Sequence, residues 1–294
     1  MMNYLQIAIL ALIQGAAELL PVSSSAHVIL AAKLMGLKET DSPEFVFLLI
    51  MLHTGTMFAV LCYFWGRWKA LLLPPLSKDI ASPTLNLHFF KMVILATACT
   101  GVLGLGLKFL IERVVLVGML GHEKGEVEHL FKNLYLIAAS LLAVGLVIIA
   151  AGSRDTSAQG APLGTRPSLW IGLVQGLCLP FRGFSRSGAT ISTALFCGIP
   201  RPLAEDFSFA LAVVLTPPVI IWELYRLVKS PNWQSERPVE LLLPGLVGMT
   251  FSFIAGLAAL KFLSAVLEQG KWKYFGFYCL GASAVVFTAA MCGL

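Results

Sequence analysis

Apolar runs long enough to cross a bilayer recur along the chain, separated by short segments rich in Pro, Gly or charge. A spanning helix needs roughly 20 such residues, which predicts spans near 44–65, 88–111, 131–151, 205–228, 240–263 and 273–293. The connecting segments are Leu73–Pro83, Gly118–Lys132, Gly152–Pro167 and Lys229–Pro238, among others. Two regions, 4–37 and 168–199, do not fit as ordinary spans, because each holds two apolar halves interrupted by a polar Pro/Gly/Ser segment. Irregular backbone at membrane depth is tolerated only when buried in protein or lining a wet cavity. A re-entrant hairpin, in which each half reaches about mid-membrane and the chain returns to its starting side, meets that requirement.

The two interrupted regions resemble each other. One reads Gln14-Gly15, Leu20-Pro21, Ser23-Ser24-Ser25; the other reads Gln175-Gly176, Leu179-Pro180, Ser185-Arg186-Ser187. Each is followed by a span that begins near an acidic residue, Glu44 in one case and Glu205 with Asp206 in the other. The predicted fold is an all-α integral membrane protein in one domain, 1–294, built from repeats 1–151 and 168–294. Each repeat is a hairpin plus three spans. An odd number of spans inserts the second repeat upside down, an architecture known from transporters with broken helices.

Composition agrees with a membrane protein: 57% hydrophobic, 13% charged, mean hydropathy +0.83. The net charge of +5 says little about partners, and Lys and Arg divide evenly between the two predicted faces, so the positive-inside rule sets no orientation. No basic cluster with interleaved aromatics suggests nucleic acid. The six cysteines lie mostly in apolar segments without metal-site spacing, which reads as buried thiols. Residues 1–20 have no basic leader or small-residue cleavage site, so they do not read as a cleaved signal peptide.

The first polar stretch, Gln14 to His27, carries a carboxylate, three consecutive hydroxyls and an imidazole inside this apolar chain. Tyr4 to Leu20 predicts a helix with Gln14 and Glu18 stacked on one face at i,i+4. Pro21 ends or kinks it. Ser23, Ser24 and Ser25 are good N-caps for a second helix running to about Leu37, whose N-terminus suits an anion. Polar groups at membrane depth are costly and read as a functional site. The second stretch, Leu179 to Thr190, holds Arg182, Gly183, Ser185, Arg186, Ser187 and Thr190. Arg offers a rigid fork for phosphate oxygens, Gly allows close backbone approach, and Ser187 or Ser185 can cap the following helix. Together the two stretches place a basic anion clamp opposite an acid, hydroxyls and an imidazole. His53, Glu112 and Glu223 are isolated ionisable groups and read as structural or rim residues.

These residues carry a resemblance. Glu18-Leu-Leu-Pro-Val-Ser-Ser-Ser-Ala-His27 resembles the E-F-L-P-V-S-S-T-G-H signature of the undecaprenyl pyrophosphate phosphatases (the BacA/UppP family). Gly183-Phe-Ser-Arg-Ser-Gly-Ala-Thr190 resembles that family's P-G-x-S-R-S-G-A-T, and Ala204-Glu205-Asp206-Phe207-Ser208-Phe209 resembles its A-x-E-F-S-F. His53-Thr54-Gly55-Thr56 is similar to its H/Q-L-G-T. The resemblance implies six transmembrane helices plus two re-entrant helical hairpins in an inverted repeat. It implies a multi-pass protein of the bacterial inner membrane with its site open to the periplasm. The implied activity is hydrolysis of undecaprenyl (C55 isoprenoid) diphosphate to the monophosphate and inorganic phosphate, recycling the lipid carrier for cell-wall synthesis. It further implies catalytic roles for Glu18, Ser24, His27 and Arg186. Gln14, Ser23, Ser25, Arg182, Gly183, Ser185, Ser187 and Thr190 are the candidate substrate-binding residues. Partners are the isoprenoid diphosphate and membrane lipids, with a homodimer as the candidate assembly.

Two departures matter. The family places a Glu where this chain has Gln14, which weakens a divalent-metal site (Mg²⁺ or Ca²⁺ at Glu18) built from two carboxylates. Its Pro-Gly is altered to Arg182-Gly183, adding a positive group beside the clamp. On the hydrolase reading Ser24 is the candidate nucleophile with His27, one turn on, as base or proton shuttle. The rival within it is water activated by His27 or by a metal at Glu18. The rival from another class is a translocase that moves an isoprenoid phosphate lipid across the bilayer.

Overall fold

The computed structural model describes residues 2–37, 42–72, 83–111, 133–154, 160–230, 233 and 238–293. These residues form ten α-helices and, among the described residues, no strand. In chain order they are α1 (Tyr4–Leu19), α2 (Ser24–Leu34), α3 (Pro43–Leu72), α4 (Pro83–Leu110), α5 (Leu134–Gly152), α6 (Thr165–Cys178), α7 (Arg186–Phe196), α8 (Arg201–Lys229), α9 (Pro238–Glu268) and α10 (Lys273–Met291). Six stretches are long and apolar enough to cross a membrane: Pro43–Ala70, Leu87–Leu110, Leu134–Gly152, Arg201–Lys229, Glu240–Glu268 and Lys273–Met291. They coincide with the six predicted spans. The whole 112–132 connection, including Glu112, lies outside the described residues, as do all of 73–82 and most of 231–237.

Side chains such as Ile94, Val102, Leu105 and Ile221 point outward, each at least 67% exposed. Outward apolar surface of this kind gains nothing from burial in lipid, so the helices are held by packing and interhelical hydrogen bonds. Both broken regions fold as two short helices around a break. The first runs from α1 to α2 and the second from α6 to α7. Helix α1 lies on α9, α6 on α4, and α5 pairs with α10. The repeated Gln-Gly dipeptide has a packing reason. A Cβ on Gly15 would sit 2.5 Å from the Ser252 carbonyl oxygen of α9, and one on Gly176 would sit 3.0 Å from the Thr100 oxygen of α4. Only a residue without a side chain allows these backbones so close.

An aromatic core joins α3, α4 and α8: Phe64 stacks on Trp68 and Phe209, and Phe89 meets Phe207 edge-on. Beside it, Arg67 of α3 reaches Asp206 at 3.0 Å and Glu205 at 3.6 Å. Ser264 of α9 donates to Glu205 at 2.5 Å and receives the Tyr63 hydroxyl at 2.9 Å. The acidic pair that opens α8 therefore ties three spans together. Removing Arg67 would leave the buried Glu205 without its cation, which is destabilising. Glu223 pairs on the surface with Arg226 at 3.8 Å, as a rim residue does. The thiols divide: Cys178 and Cys279 are buried, Cys62 and Cys292 are exposed, and all six are free.

Candidate active site

The two breaks meet. Gln14 and Glu18 share one face of α1 as their spacing requires, with Gln14 Nε2 3.2 Å from Glu18 Oε2. The chain then turns through Pro21 and Val22 to Ser23, the one non-glycine with positive φ (68°) among the described residues. A left-handed residue with a Cβ is unfavourable by about 1–2 kcal/mol, and such strain collects at functional sites. The turn brings Ser24, first residue of α2, back onto Glu18: Ser24 Oγ donates to Oε2 at 2.5 Å. Ser23 is the N-cap, but its hydroxyl makes no capping bond and instead meets Ser25 Oγ at 3.2 Å. The first N–H groups of α2 therefore have no side-chain cap, and α2 ends at Leu34 rather than near Leu37.

The second break contributes the cation. Gly183 turns at φ 97°, where an added Cβ would lie 2.6 Å from the Ile137 carbonyl oxygen. Its N–H donates to Ser25 Oγ at 3.3 Å, and Ser187 Oγ donates to the Leu20 carbonyl at 3.3 Å. These bonds stitch the breaks together. Arg186, first residue of α7, then places Nη2 3.5 Å from Glu18 Oε1. Both side chains are about one-fifth exposed (21% and 20%), so a ligand can reach them. One of the five guanidinium donors is engaged there; the fork remains for an anion. Arg182 is exposed beside Gly183 and has no ion-pair partner among the described residues.

Ser185, Ser187 and Thr190 are buried. Ser185 caps α7 by accepting from the Gly188 N–H at 3.2 Å, and Thr190 bonds the Arg186 carbonyl at 2.9 Å and Ser208 Oγ at 2.6 Å. With Ser187 they hold Arg186 in place rather than lining the open side of the site.

Two histidines depart from the sequence reading. His53, read there as a structural or rim residue, lies in the cluster: its Nε2 is 3.2 Å from Gln14 Nε2 and 3.8 Å from Glu18 Oε2. Its Nδ1 faces the Leu49 carbonyl at 2.8 Å, so Nδ1 holds the proton and Nε2 accepts from the Gln14 amide. The His-Thr-Gly-Thr resemblance was the signal for this; a span position alone gave none. His27, read as the base for Ser24, turns away from it. Its Nδ1 meets the Ser23 carbonyl at 2.8 Å and its Nε2 meets the Tyr278 hydroxyl at 2.8 Å. The group on the Ser24 hydroxyl is Glu18. Tyr278 carries no charged neighbour within four residues in its span, so nothing local marked it.

Among the described residues no three His, Cys, Asp or Glu side chains gather at one point. Glu18 is the lone carboxylate of the cluster and faces Arg186, so a Mg²⁺ here would have one protein carboxylate and the substrate's phosphate oxygens to hold it. No step below passes through a metal.

The sequence model described as "Bacitracin resistance protein BacA" matches residues 7–285. Undecaprenyl-diphosphatase 2 of Acinetobacter baylyi is 53% identical over 98% of this chain and 99% of its own length. The undecaprenyl-diphosphatases of Desulfosudis oleivorans (32% identical, 95% of both chains) and Korarchaeum cryptofilum (33%, 95% and 96%) are similar over nearly their whole lengths too. With six spanning helices, two broken helix pairs and a match that covers almost every residue, the chain belongs to the bacitracin resistance protein BacA family.

Proposed function

We propose that this chain is a membrane phosphatase that hydrolyses undecaprenyl diphosphate to the monophosphate and inorganic phosphate. The names of its relatives support the substrate. The observation that carries the chemistry is the junction of the breaks, where Ser24 Oγ donates to Glu18 and Arg186 faces the same carboxylate. Arg186, with Arg182 beside it and the uncapped N-terminus of α2, holds the diphosphate and takes up the charge that develops on it.

Glu18 is the base and Ser24 the nucleophile. The bond from Ser24 Oγ to the terminal phosphorus forms as the bond to the bridging oxygen breaks. The electron pair stays on the leaving isoprenyl monophosphate, and the serine proton passes to Glu18. Water then attacks the phosphoserine. One water proton stays on the departing phosphate, the other restores the serine hydroxyl, and Glu18 returns its proton to solvent. The breaks form re-entrant hairpins and the halves an inverted repeat, a reading supported by α1 lying on α9 and α6 on α4. The protein resides in the inner membrane with the site open to the periplasm.

The test uses purified protein in vesicles loaded with the lipid diphosphate. Release of inorganic phosphate by the wild type, abolished in Ser24→Ala with binding of the lipid retained, is the expected result. Near-normal turnover by Ser24→Ala excludes the covalent route. Movement of intact lipid phosphate between leaflets without release rejects the hydrolase in favour of a translocase.

A further inference from the structure

Ser24 is aimed by a strained turn, and that turn is held from an element that supplies no acid, base or cation to the site. Helix α10 presents two successive residues to it. The Cys279 thiol, fully buried, donates to the Pro21 carbonyl at 3.3 Å. The Tyr278 hydroxyl lies 2.8 Å from His27 Nε2, with the two ring planes within 13° of parallel. The protonation of the imidazole follows from its other contact. The Ser23 carbonyl can only accept, so Nδ1 carries the hydrogen and donates to it. In the neutral imidazole Nε2 is then a bare lone pair, to which the Tyr278 O–H donates.

The result is a directed chain: phenol to imidazole, imidazole to the carbonyl of Ser23, the residue held at φ 68° immediately before Ser24. The Ser23 carbonyl also receives the His27 backbone N–H at 3.4 Å, so the imidazole adds a second, directional hold on a peptide that is otherwise loosely tied. The ring has two bonds, one at each nitrogen, and loses its fixed plane if either goes. A peptide at positive φ reverts toward ordinary backbone unless its surroundings fix it. That reversion would swing Ser24 Oγ away from Glu18.

We propose that Tyr278 is a positioning residue for Ser24, acting through His27 on the Ser23 carbonyl, with Cys279 bracing the same turn at Pro21. The proposal rests on reading Ser24 as the group that acts on phosphate. It gives the last span a part in the chemistry and gives His27 a task other than taking the serine proton.

Tyr278→Phe keeps the ring and removes only the hydroxyl. Its kcat for phosphate release from the isoprenoid diphosphate falls about tenfold with KM within about twofold, because aim is lost and the anion clamp is not. Combined with His27→Ala, the double variant loses no more than His27→Ala alone, since the two act in one chain. A Tyr278→Phe enzyme within about twofold of wild-type kcat, or losses that multiply in the double variant, overturns the proposal.

A second readout needs neither turnover nor a folded variant. In wild-type protein carrying ¹⁵N-labelled histidine, the His27 resonances show the proton on Nδ1 and a hydrogen-bonded, unprotonated Nε2; a proton on Nε2 overturns the proposal. Wild-type protein that releases no phosphate while showing the expected tautomer counts against the hydrolase reading and leaves the Tyr278–His27 contact standing.

Discussion

The two broken helix pairs share a plan and differ in what the break is for. In the second, the turn is made by Gly183 at φ 97° and the new helix is capped by Ser185 onto Gly188. In the first, the turn is made by Ser23 at φ 68°, and the cap residue makes no capping bond. The second break is thus folded from residues suited to each position, and it sets the Arg186 cation on Glu18, with Arg182 beside it. The first accepts strain and an uncapped helix, and it delivers Glu18 and Ser24 in contact at 2.5 Å. Local strain gathers at the break that carries the proposed base and nucleophile, and the relaxed partner is the frame against which they are packed.

That contrast can be broken most forcefully at the groups themselves. Arg186→Ala removes the clamp and lowers phosphate release by about 10²–10³-fold, the usual cost of a lost charge-stabilising donor. Glu18→Gln removes the base on Ser24 and has a loss of the same order. Both are read by initial rates on folded protein. The next largest effect is on stability. Gly183→Ala puts a Cβ at positive φ and 2.6 Å from the Ile137 oxygen, so thermal unfolding in detergent shows a loss of about 2 kcal/mol or more. Ser23→Gly, by contrast, relieves φ and loosens the chain, two effects that offset to within about 1 kcal/mol. Equal sensitivity of the two positions would contradict the contrast drawn between the breaks.

Gln14 sharpens the comparison with the family pattern. Its amide donates to both Glu18 and His53, so this chain replaces a second carboxylate with a neutral double donor. Gln14→Glu sets two carboxylates one turn apart. Its phosphate release in EDTA falls about tenfold, because the added carboxylate repels the diphosphate anion at close range, and recovers on adding Mg²⁺, whereas the wild type is indifferent to EDTA. Recovery failing in the variant, or EDTA sensitivity in the wild type, would contradict this. The smallest effect is Ser185→Ala, which loses a cap worth ~1 kcal/mol.

Much of this was legible in the sequence. Hydrophobic length found all six spans, and the Pro/Ser interruptions located both breaks. The i,i+4 spacing put Gln14 and Glu18 on one face, and the resemblance of the two Gln-Gly-to-Ser stretches brought Ser24 and Arg186 together. What escaped were contacts set by packing between distant helices. His53 joins Gln14 only because α3 runs beside α1, and an apolar span gives no sign of which side its lone imidazole faces. Tyr278 reaches His27 across 251 residues of chain, and a tyrosine near a span end reads as an interfacial anchor. The pairing of Ser24 with His27 at i+3 looked right on a helix surface. The positive φ of Ser23 is what redirected Ser24 to Glu18, and a non-glycine in that region is not foreseeable from residue type.

The most direct test of the central claim, that the two breaks together make one hydrolytic site, is phosphate release from undecaprenyl diphosphate by purified wild-type, Glu18→Gln and Arg186→Ala proteins of equal thermal stability. Release by the wild type that is lost in both variants is the predicted result, one variant from each break. Release that persists in Arg186→Ala, or none from the folded wild type, would contradict it.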